Sequence, residues 1–512
     1  MQTFTTSTKV AKETTISFVG LGIGQVLRYV YTGLLARWVG VEYLGIYSLA
    51  NAVTRFAEVI GKAGLDGGLL RFVSMRRAED QRKIQQDVAS TLKMGAVFAL
   101  VLMGLQMALS GWLAISVFRG SPLLQKVIFI NALTLPFTVI TLISAAATRG
   151  FKLMKYKIAV TNIAVPILLV LTLITTYWLW SAEMTIIAPL LVSSVLGCLG
   201  MVYYLRRITS IKLGGVWKQK WNRSILTFSY PLMFISIIGT FMHWLDITML
   251  GYFTDTPTVG LYHPATRTAG LLRSILVAFM GIFAPLMSEL FAQKKLSEMH
   301  ALYKLTTRWI LTLALPFTVI FLVFPTKIML LFGGQYTSAA HVLMLLTCAT
   351  LIQSFIGAGG PTLTMTGHPK VNLMNSVAVV ILNVILNALW IPRYGIIGAA
   401  SATLISLTTL GIIRSVEIWG ILQLHPLSVK LLKPLTAGGI IMGIMYTLRP
   451  LLMPFHTLIT LSLATVLTFI LYGVFLWLLR FDEDDRQVLA AFRVLWQTLS
   501  TWRTNTKRKN AS

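Results

Sequence analysis

The stretch YLGIYSLANAVTRFAEVIGKAGL, at 43–65, decides the fold class of this 512-residue chain. It is long and apolar enough to cross a bilayer, yet it carries Asn51, Arg55, Glu58 and Lys62 at helical spacing. At 100° per residue these four side chains fall within roughly 60° of one another. An ionisable side chain costs at least ~2.5 kcal/mol at the centre of a membrane helix, so this polar stripe predicts a protein-lined or water-filled interior on its side.

Similar apolar runs recur along the whole chain, which is 56% hydrophobic and only 12% charged. This composition excludes an ordinary soluble enzyme and predicts an all-α polytopic membrane protein. We expect about fourteen transmembrane helices, called spans 1 to 14, each long enough to cross the bilayer. They lie at 14–38, 43–64, 94–118, 127–147, 157–179, 184–205, 225–252, 259–290, 305–324, 339–365, 371–391, 396–421, 434–448 and 457–480.

The net charge of +27 is distributed unevenly between the two sides of the predicted membrane. If the N-terminus is inside, about 32 of the 44 Lys and Arg lie in loops on the same side. This bias predicts a multi-pass protein of the bacterial cytoplasmic (inner) membrane with both termini cytoplasmic. We interpret the basic tail at 503–510 as contacting anionic lipid headgroups rather than nucleic acid, and the segment before it, at 488–502, as an interfacial amphipathic helix.

A short repeat divides the chain into two halves. The hexamers GIYSLA at 45–50 and GLYHPA at 260–265 share the form G-[IL]-Y-x-x-A and begin spans 2 and 8 at the same predicted side. Six spans separate the two copies, so the halves would be related by an axis along the membrane normal. The predicted organisation is a cytoplasmic cap at 1–13, an N-lobe of spans 1 to 6 at 14–205, a linker at 206–224, a C-lobe of spans 7 to 12 at 225–421, spans 13 and 14 at 434–480, and a cytoplasmic tail at 481–512.

The embedded charges predict a binding site for an anion. Positive residues outnumber negative ones by five to two, and arginine offers a planar fork of donors that grips phosphate oxygens. We expect Arg55 and Arg273 to bind a diphosphate, with Arg28 and Arg267 as outer partners. Since Arg267 and Arg273 are six residues apart, we expect them to lie on different faces of span 8. The charges are Arg28, Arg55, Lys62, Arg267 and Arg273 against Glu58 and Asp246.

Several of these residues have a second interpretation. Arg55, Glu58 and Lys62 can neutralise one another along span 2, with Asn51 as a further polar support of the stripe. Asp246 in span 7 is either a salt-bridge partner for an arginine or a site for a coupling cation, H⁺ or Na⁺. His243, one turn earlier, either relays a proton or is a packed side chain.

No motif for a nucleotide, metal or other cofactor is recognisable, and no catalytic residues are predicted. Cys198 and Cys348 are isolated in separate spans, without CxxC or His-rich spacing nearby. There is no GxxxxGK[ST] sequence. Energy for transport would come from an ion gradient or from the downhill flow of the substrate.

Four stretches resemble the polysaccharide and lipid-linked oligosaccharide flippases of the multidrug/oligosaccharidyl-lipid/polysaccharide (MOP) exporter superfamily. They are LLARWVGVEYLGIYSLA at 34–50, GLDGGLLRFVS at 64–74, LDITMLGYF with VGLYHPATRTAGLLR at 245–273, and ILNVILNALWIPRYGIIGAASATLIS at 381–406. The order of the predicted spans resembles that of the family over nearly the whole chain. The similarity of sequence motifs is limited to the junctions of spans 1–2, 7–8 and 11–12.

The resemblance implies a two-lobed, V-shaped transporter that turns a polyprenyl-diphosphate-linked oligosaccharide from the cytoplasmic to the outer leaflet by alternating access. In the related lipid II flippases, arginines on helices 1, 2 and 8 contact the diphosphate. Arg28, Arg55 and either Arg267 or Arg273 occupy those helices here. The relatives also use helices 13 and 14 to shape a groove for the lipid tail. We expect a monomer, with membrane lipids and polysaccharide assembly proteins as partners.

Two other classes remain open at this point. A cation-coupled drug exporter of the same superfamily would favour an excess of embedded carboxylates, whereas arginine dominates here. A membrane glycosyltransferase or polysaccharide polymerase would need acidic catalytic residues, but the predicted outer loops are short. The prediction is therefore a transporter and not an enzyme.

Overall fold

The computed structural model describes residues 2–76, 81–209 and 213–479, and the side chains from 20 onward except 213 and 214. These ranges form helices and contain no strand. The predicted amphipathic segment and basic tail at 481–512 lie outside them. The α-helices are α1 (Gln2–Lys62), α2 (Leu65–Arg76), α3 (Gln81–Gly111), α4 (Pro122–Ala132), α5 (Thr134–Gly150), α6 (Met154–Lys157), α7 (Val165–Leu179), α8 (Ala182–Thr209), α9 (Arg223–Phe253), α10 (Thr256–Ala292), α11 (Leu296–Val323), α12 (Pro325–Leu330), α13 (Ala340–Ile356), α14 (Gly359–Met365), α15 (Pro369–Leu422), α16 (Leu432–Leu452) and α17 (Thr457–Leu478).

Two of the helices are far longer than a bilayer is thick, and each is bent at a glycine. In α1 the bend lies at Gly40, with φ 84° and ψ −177°, and in α15 it lies at Gly395, with φ 55° and ψ −129°. Only glycine adopts positive φ at low cost, because it has no Cβ. Predicted spans 1 and 2 are therefore joined by a sharp bend rather than by a loop, and so are spans 11 and 12.

Eleven segments of the described ranges are long and apolar enough to cross a membrane, from Gln81–Val117 to Thr457–Leu478. The predicted class, an all-α polytopic membrane protein, is confirmed. The number of fourteen spans and the division into lobes at 14–205 and 225–421 remain predictions. For α16 and α17, the observed helices closely follow predicted spans 13 and 14, and their apolar faces pack against Leu315 and Val319 of α11.

The two copies of the repeated hexamer meet in space, at the end of the molecule that the basic loops predict to be outer. Gly45 of α1 and Gly260 of α10 lie so close that a Cβ added to Gly45 would stand 1.8 Å from the carbonyl oxygen of Thr256. The ring of Tyr47 packs edge-on against His263, at 6.1 Å between centroids. The repeat therefore joins α1 to α10 through direct backbone contact.

At the opposite end, the structure describes residues 206–209 and 213–224 of the predicted linker. The α8 helix continues to Thr209, and Asn222 caps α9 by accepting hydrogen bonds from the backbone N–H groups of Ser224 (3.1 Å) and Ile225 (3.4 Å). The Asn222 amide also donates to the buried Asp87 of α3, at 2.7 Å. The start of α9 is thereby tied to the inner end of α3.

Candidate functional site

Three of the four predicted arginines line one cavity of about 440 Å³ between α1, α9 and α10. Arg28 comes from α1, and Arg267 and Arg273 come from α10. We call this space the central cavity. Within the part of the chain that the structure describes, none of the three arginines forms an ion pair, and no Asp or Glu lines the cavity. The central cavity therefore carries positive charge without a protein counter-charge.

Each guanidinium is held by a neutral group. Arg28 donates from Nη2 to the carbonyl oxygen of Thr161, at 2.9 Å, in a π-helical turn at Ile158–Ala164. π-Helical turns widen the helix and occur frequently at functional sites. Arg28 is thus oriented without losing its charge.

The two arginines of α10 are oriented by histidines. Arg267 donates from Nε to Nε2 of His263, at 3.3 Å, and its guanidinium carbon lies 5.8 Å from the centre of the Trp244 ring. Arg273 donates from Nη1 to Nδ1 of His243, at 3.2 Å. His243 therefore positions Arg273 in this conformation, which favours the interpretation of His243 as a packed, supporting side chain.

Arg267 and Arg273 lie on different faces of α10, as their spacing predicts, yet both line the central cavity. Six residues rotate the chain by 600°, which leaves the two Cα–Cβ directions about 120° apart. The cavity extends around this side of α10, and both side chains are long enough to line it. The site thus contains both arginines of α10.

The polar stripe of α1 separates into two parts. Arg55 forms an ion pair with Glu58, at 2.7 Å between Nη1 and Oε2, as the second interpretation of the stripe predicts. Lys62 pairs with Asp66 at 3.0 Å rather than with Glu58, so its charge is balanced from α2. The chain turns at Ala63 and Gly64, both with positive φ, and this turn brings Asp66 to Lys62.

Asn51, Arg55 and Glu58 line a second cavity, of about 140 Å³, together with Arg28. We call it the N-lobe cavity. Arg28 belongs to both cavities, so the two spaces adjoin at its side chain. Because Glu58 already neutralises Arg55, the geometry favours Arg28, Arg267 and Arg273 over Arg55 as the anion-binding group.

Asp246 of α9 is surrounded by neutral hydrogen-bond donors. It accepts from the Tyr262 hydroxyl (3.0 Å), from the amide of Asn387 (2.9 Å) and from the hydroxyl of Thr403. Among the described residues no basic side chain forms an ion pair with it, so this conformation favours the coupling-cation interpretation over the salt bridge.

The surroundings of Asp246 are rich in oxygen. The Asn387 amide also donates to Oδ1 of Asn383, at 3.1 Å, and Oδ1 of Asn387 has no hydrogen-bond partner within the described ranges. A cavity of about 120 Å³, also lined by His243 and Arg273, leads to this cluster. Carboxylate, amide and hydroxyl oxygens are the ligands of hard cations.

Sequence reasoning missed the partners of Asp246, although one signal was available. Asn383 and Asn387 are four residues apart in an apolar run, so they share a helix face. A second signal was available in α5, where three threonines that line the N-lobe cavity recur at helical spacing: Thr134, Thr138 and Thr141. That α4 and α8 complete this lining does not follow from local sequence, because the three helices are separate segments of the chain.

The fold and the central cavity define an all-α, multi-pass membrane protein. Its structure is similar to that of the lipid II flippase MurJ in the inward closed conformation, with a TM-score of 0.69 at 18% identity over 90% of this chain and 98% of that one. A MATE family multidrug resistance transporter in an inward-facing conformation is also similar, with a TM-score of 0.65 at 13% identity over 80% and 98%.

Residues 10–291, more than half of the chain, match the family model described as polysaccharide biosynthesis protein, and residues 231–389 match the MatE model. The chain belongs to the polysaccharide biosynthesis protein family. It is 29% identical over 185 residues to the probable low-salt glycan biosynthesis flippase Agl15 of Haloferax volcanii, which is 36% of this chain and 39% of that protein. The chain therefore aligns with about two fifths of the length of that relative.

Proposed function

We propose that this protein is a flippase that moves a polyprenyl-diphosphate-linked oligosaccharide from the cytoplasmic to the outer leaflet, for surface polysaccharide assembly. The observation that carries the proposal is the central cavity, where Arg28, Arg267 and Arg273 meet and no described residue is an acidic partner for them. The names of Agl15, a probable glycan flippase, and of MurJ, a lipid II flippase, support the same class of substrate.

The chemistry of the cavity suits a diphosphate. Three guanidinium groups present planar forks of N–H donors, and such forks match phosphate oxygens in bidentate geometry. An uncompensated charge within the membrane has a high free-energy cost, because it is removed from water. Binding of an anion by the three arginines would offset this cost. The three neutral partners, the Thr161 carbonyl, His263 and His243, hold the arginines in place and leave their charge for the ligand.

Alternating access accounts for the movement across the membrane. The contact between Gly45 and Gly260 holds α1 and α10 together at the predicted outer end. Transport would require this contact to open while the inner end closes. We further propose that Asp246, with Asn383, Asn387 and Thr403, binds the H⁺ or Na⁺ whose gradient drives the cycle.

The test is the rate at which purified protein flips undecaprenyl-diphosphate-linked N-acetylglucosamine in proteoliposomes. Removing one charged contact to a buried anion costs about 2–5 kcal/mol, so Arg28→Ala, Arg267→Ala and Arg273→Ala should each lower the apparent affinity about 30-fold or more. Arg37→Ala, an exposed arginine at the predicted outer end, is the matched control and should behave as the native protein. Native affinity in all three cavity variants would refute the diphosphate site.

A cation-coupled drug exporter of the same superfamily is the main rival. A drug exporter should transport a cationic dye such as ethidium, and replacing the arginines of the central cavity should not change that transport. The composition of the central cavity, with three arginines and no acidic residue in its described lining, disfavours a cationic substrate. Ethidium transport by the native protein without flipping of the diphosphate lipid would select the rival.

A further inference from the structure

We propose that the N-lobe cavity is a subsite for one sugar ring, the one attached directly to the diphosphate. This inference rests on the proposed function, because it takes the diphosphate to lie at Arg28. The cavity lies among α1, α4, α5, α7 and α8. Its polar lining includes Asn51, Asn131, Thr134, Thr138, Thr141 and Ser193.

The amide of Asn131 lacks the hydrogen bonds that a buried amide requires. Asn131 is 2% exposed, and within the described ranges neither its Oδ1 nor its Nδ2 has a partner. Buried polar groups are nearly always hydrogen-bonded, because leaving one unpaired forfeits its solvation. Since Asn131 lines the N-lobe cavity, a ligand there that both donates and accepts would satisfy it.

The hydroxyl groups of the lining are arranged as acceptors. Each hydroxyl donates its hydrogen to a backbone carbonyl oxygen of its own helix region. Thr134 donates to the backbone of Asn131 (2.7 Å), Thr141 to that of Phe137 (2.7 Å), and Ser193 to that of Leu190 (3.2 Å). A hydroxyl has one hydrogen and two lone pairs, so each of these oxygens retains acceptor capacity. A wall of acceptors is unfavourable for phosphate, which is itself an acceptor, and favourable for a polyol that donates.

The charges at the edge of the cavity agree with a neutral occupant. Arg55 is already paired with Glu58, so the N-lobe cavity gains little net charge from that pair. Arg28 is shared with the central cavity. A diphosphate held by Arg28 in the central cavity would therefore place its first sugar at the entrance of the N-lobe cavity.

The volume limits the occupant to a single ring. At ~30 Å³ per water molecule, 140 Å³ holds about five waters, which is on the scale of one monosaccharide and too small for an oligosaccharide. The remaining sugars of the substrate would stay in the central cavity or in solvent. The N-lobe cavity would thus select the first sugar and tolerate variation in the rest.

The test compares binding of two kinds of lipid to the protein in nanodiscs. One is undecaprenyl diphosphate alone, and the other is the same lipid carrying a single glucose, galactose or N-acetylglucosamine. The native protein should bind at least one of the sugar-bearing lipids more tightly than the sugar-free lipid. Asn131→Leu should weaken that binding about tenfold, and Thr138→Val should weaken it about threefold, while binding of the sugar-free lipid stays unchanged.

Ser144→Ala is the matched control, because Ser144 lies on the same helix as Thr138, is buried and unpaired, and is absent from the cavity lining. Equal weakening of both lipid types in Asn131→Leu and Thr138→Val would overturn the subsite. So would native binding that is the same for the sugar-free lipid and all three sugar-bearing lipids. The proposed function fails separately, if Arg28→Ala, Arg267→Ala and Arg273→Ala all leave binding of the sugar-free lipid unchanged.

Discussion

Replacing Gly45 by alanine should weaken the closure of the predicted outer end. The added Cβ would lie 1.8 Å from the carbonyl oxygen of Thr256, whereas real Cβ contacts are essentially never shorter than 3.0 Å. The two helices must therefore separate locally by about 1.2 Å, or the backbone must distort. Gly260→Ala tests the same contact from the other side, since its Cβ would lie 2.0 Å from the carbonyl oxygen of Val41.

The magnitude follows from the cost of overpacking. One methyl group forced into a closely packed contact typically costs about 1–3 kcal/mol. Because both clashing atoms belong to the backbone, no side chain can turn away to relieve the strain. A conformation with the outer end open would not contain this steric clash. Because 1.4 kcal/mol changes an equilibrium constant tenfold, the ratio of open to closed molecules should rise by about 5- to 150-fold.

The assay is the distance between two spin labels at the predicted outer end. Arg119→Cys and Gln335→Cys place the labels on exposed residues, one in a loop and one in a short 3₁₀ helix. The background carries alanine in place of Cys198 and Cys348. Gly45→Ala should add a population at longer distance. Gly104→Ala should not, because a Cβ at Gly104 has no neighbour within 4 Å. The reasoning is refuted if Gly45→Ala and Gly260→Ala both fold and both keep the distance distribution of the native protein.

Three further predictions concern single side chains. Asp246→Asn keeps the shape of the proposed cation site but removes its negative charge. In vesicles, an imposed H⁺ or Na⁺ gradient should then no longer stimulate flipping. If neither gradient changes flipping by the native protein, Asp246 does not bind a coupling cation. Glu58→Gln removes the acidic partner of Arg55, so sugar-free undecaprenyl diphosphate should bind a few-fold more tightly at low salt. Unchanged affinity would show that the charge of Arg55 does not act on the bound anion. Asn222→Ala removes the cap of α9 and a hydrogen bond to Asp87, and should lower stability by about 1–2 kcal/mol, measured by thermal unfolding in detergent; an unchanged midpoint would contradict the anchoring of α9.

The fold class was predictable from local sequence because membrane insertion depends on local properties. Runs of apolar residues mark helices that can span a bilayer, and the positions of Lys and Arg between them indicate orientation. Helix bounds were predictable to within a few residues where a short loop separates two spans, as between α16 and α17. The bends at Gly40 and Gly395 fall in the predicted gaps at 39–42 and 392–395, but the sequence did not show that a bend rather than a loop joins the spans there.

The candidate site was only partly predictable. The residue types and their depth in the membrane identified Arg28, Arg267 and Arg273 as candidates, since charge at that depth requires a functional or structural reason. Helical spacing could show the neighbours of each residue on its own helix, which is why the pairing of Arg55 with Glu58 was foreseen. The same spacing places Arg267 and Arg273 on different faces but could not show that one cavity reaches both, because the width and position of a cavity do not follow from one helix.

What the sequence by itself determined is therefore the membrane class, the family, the excess of embedded arginine and the repeat that begins at Gly45 and Gly260. These features depend on composition and on short-range spacing. The tertiary structure alone decided that the two glycines touch, that three arginines share a cavity whose described lining has no carboxylate, and that Asp246 meets Asn387 from α15. The physical reason is that such contacts depend on how helices far apart in the chain rotate and pack against one another.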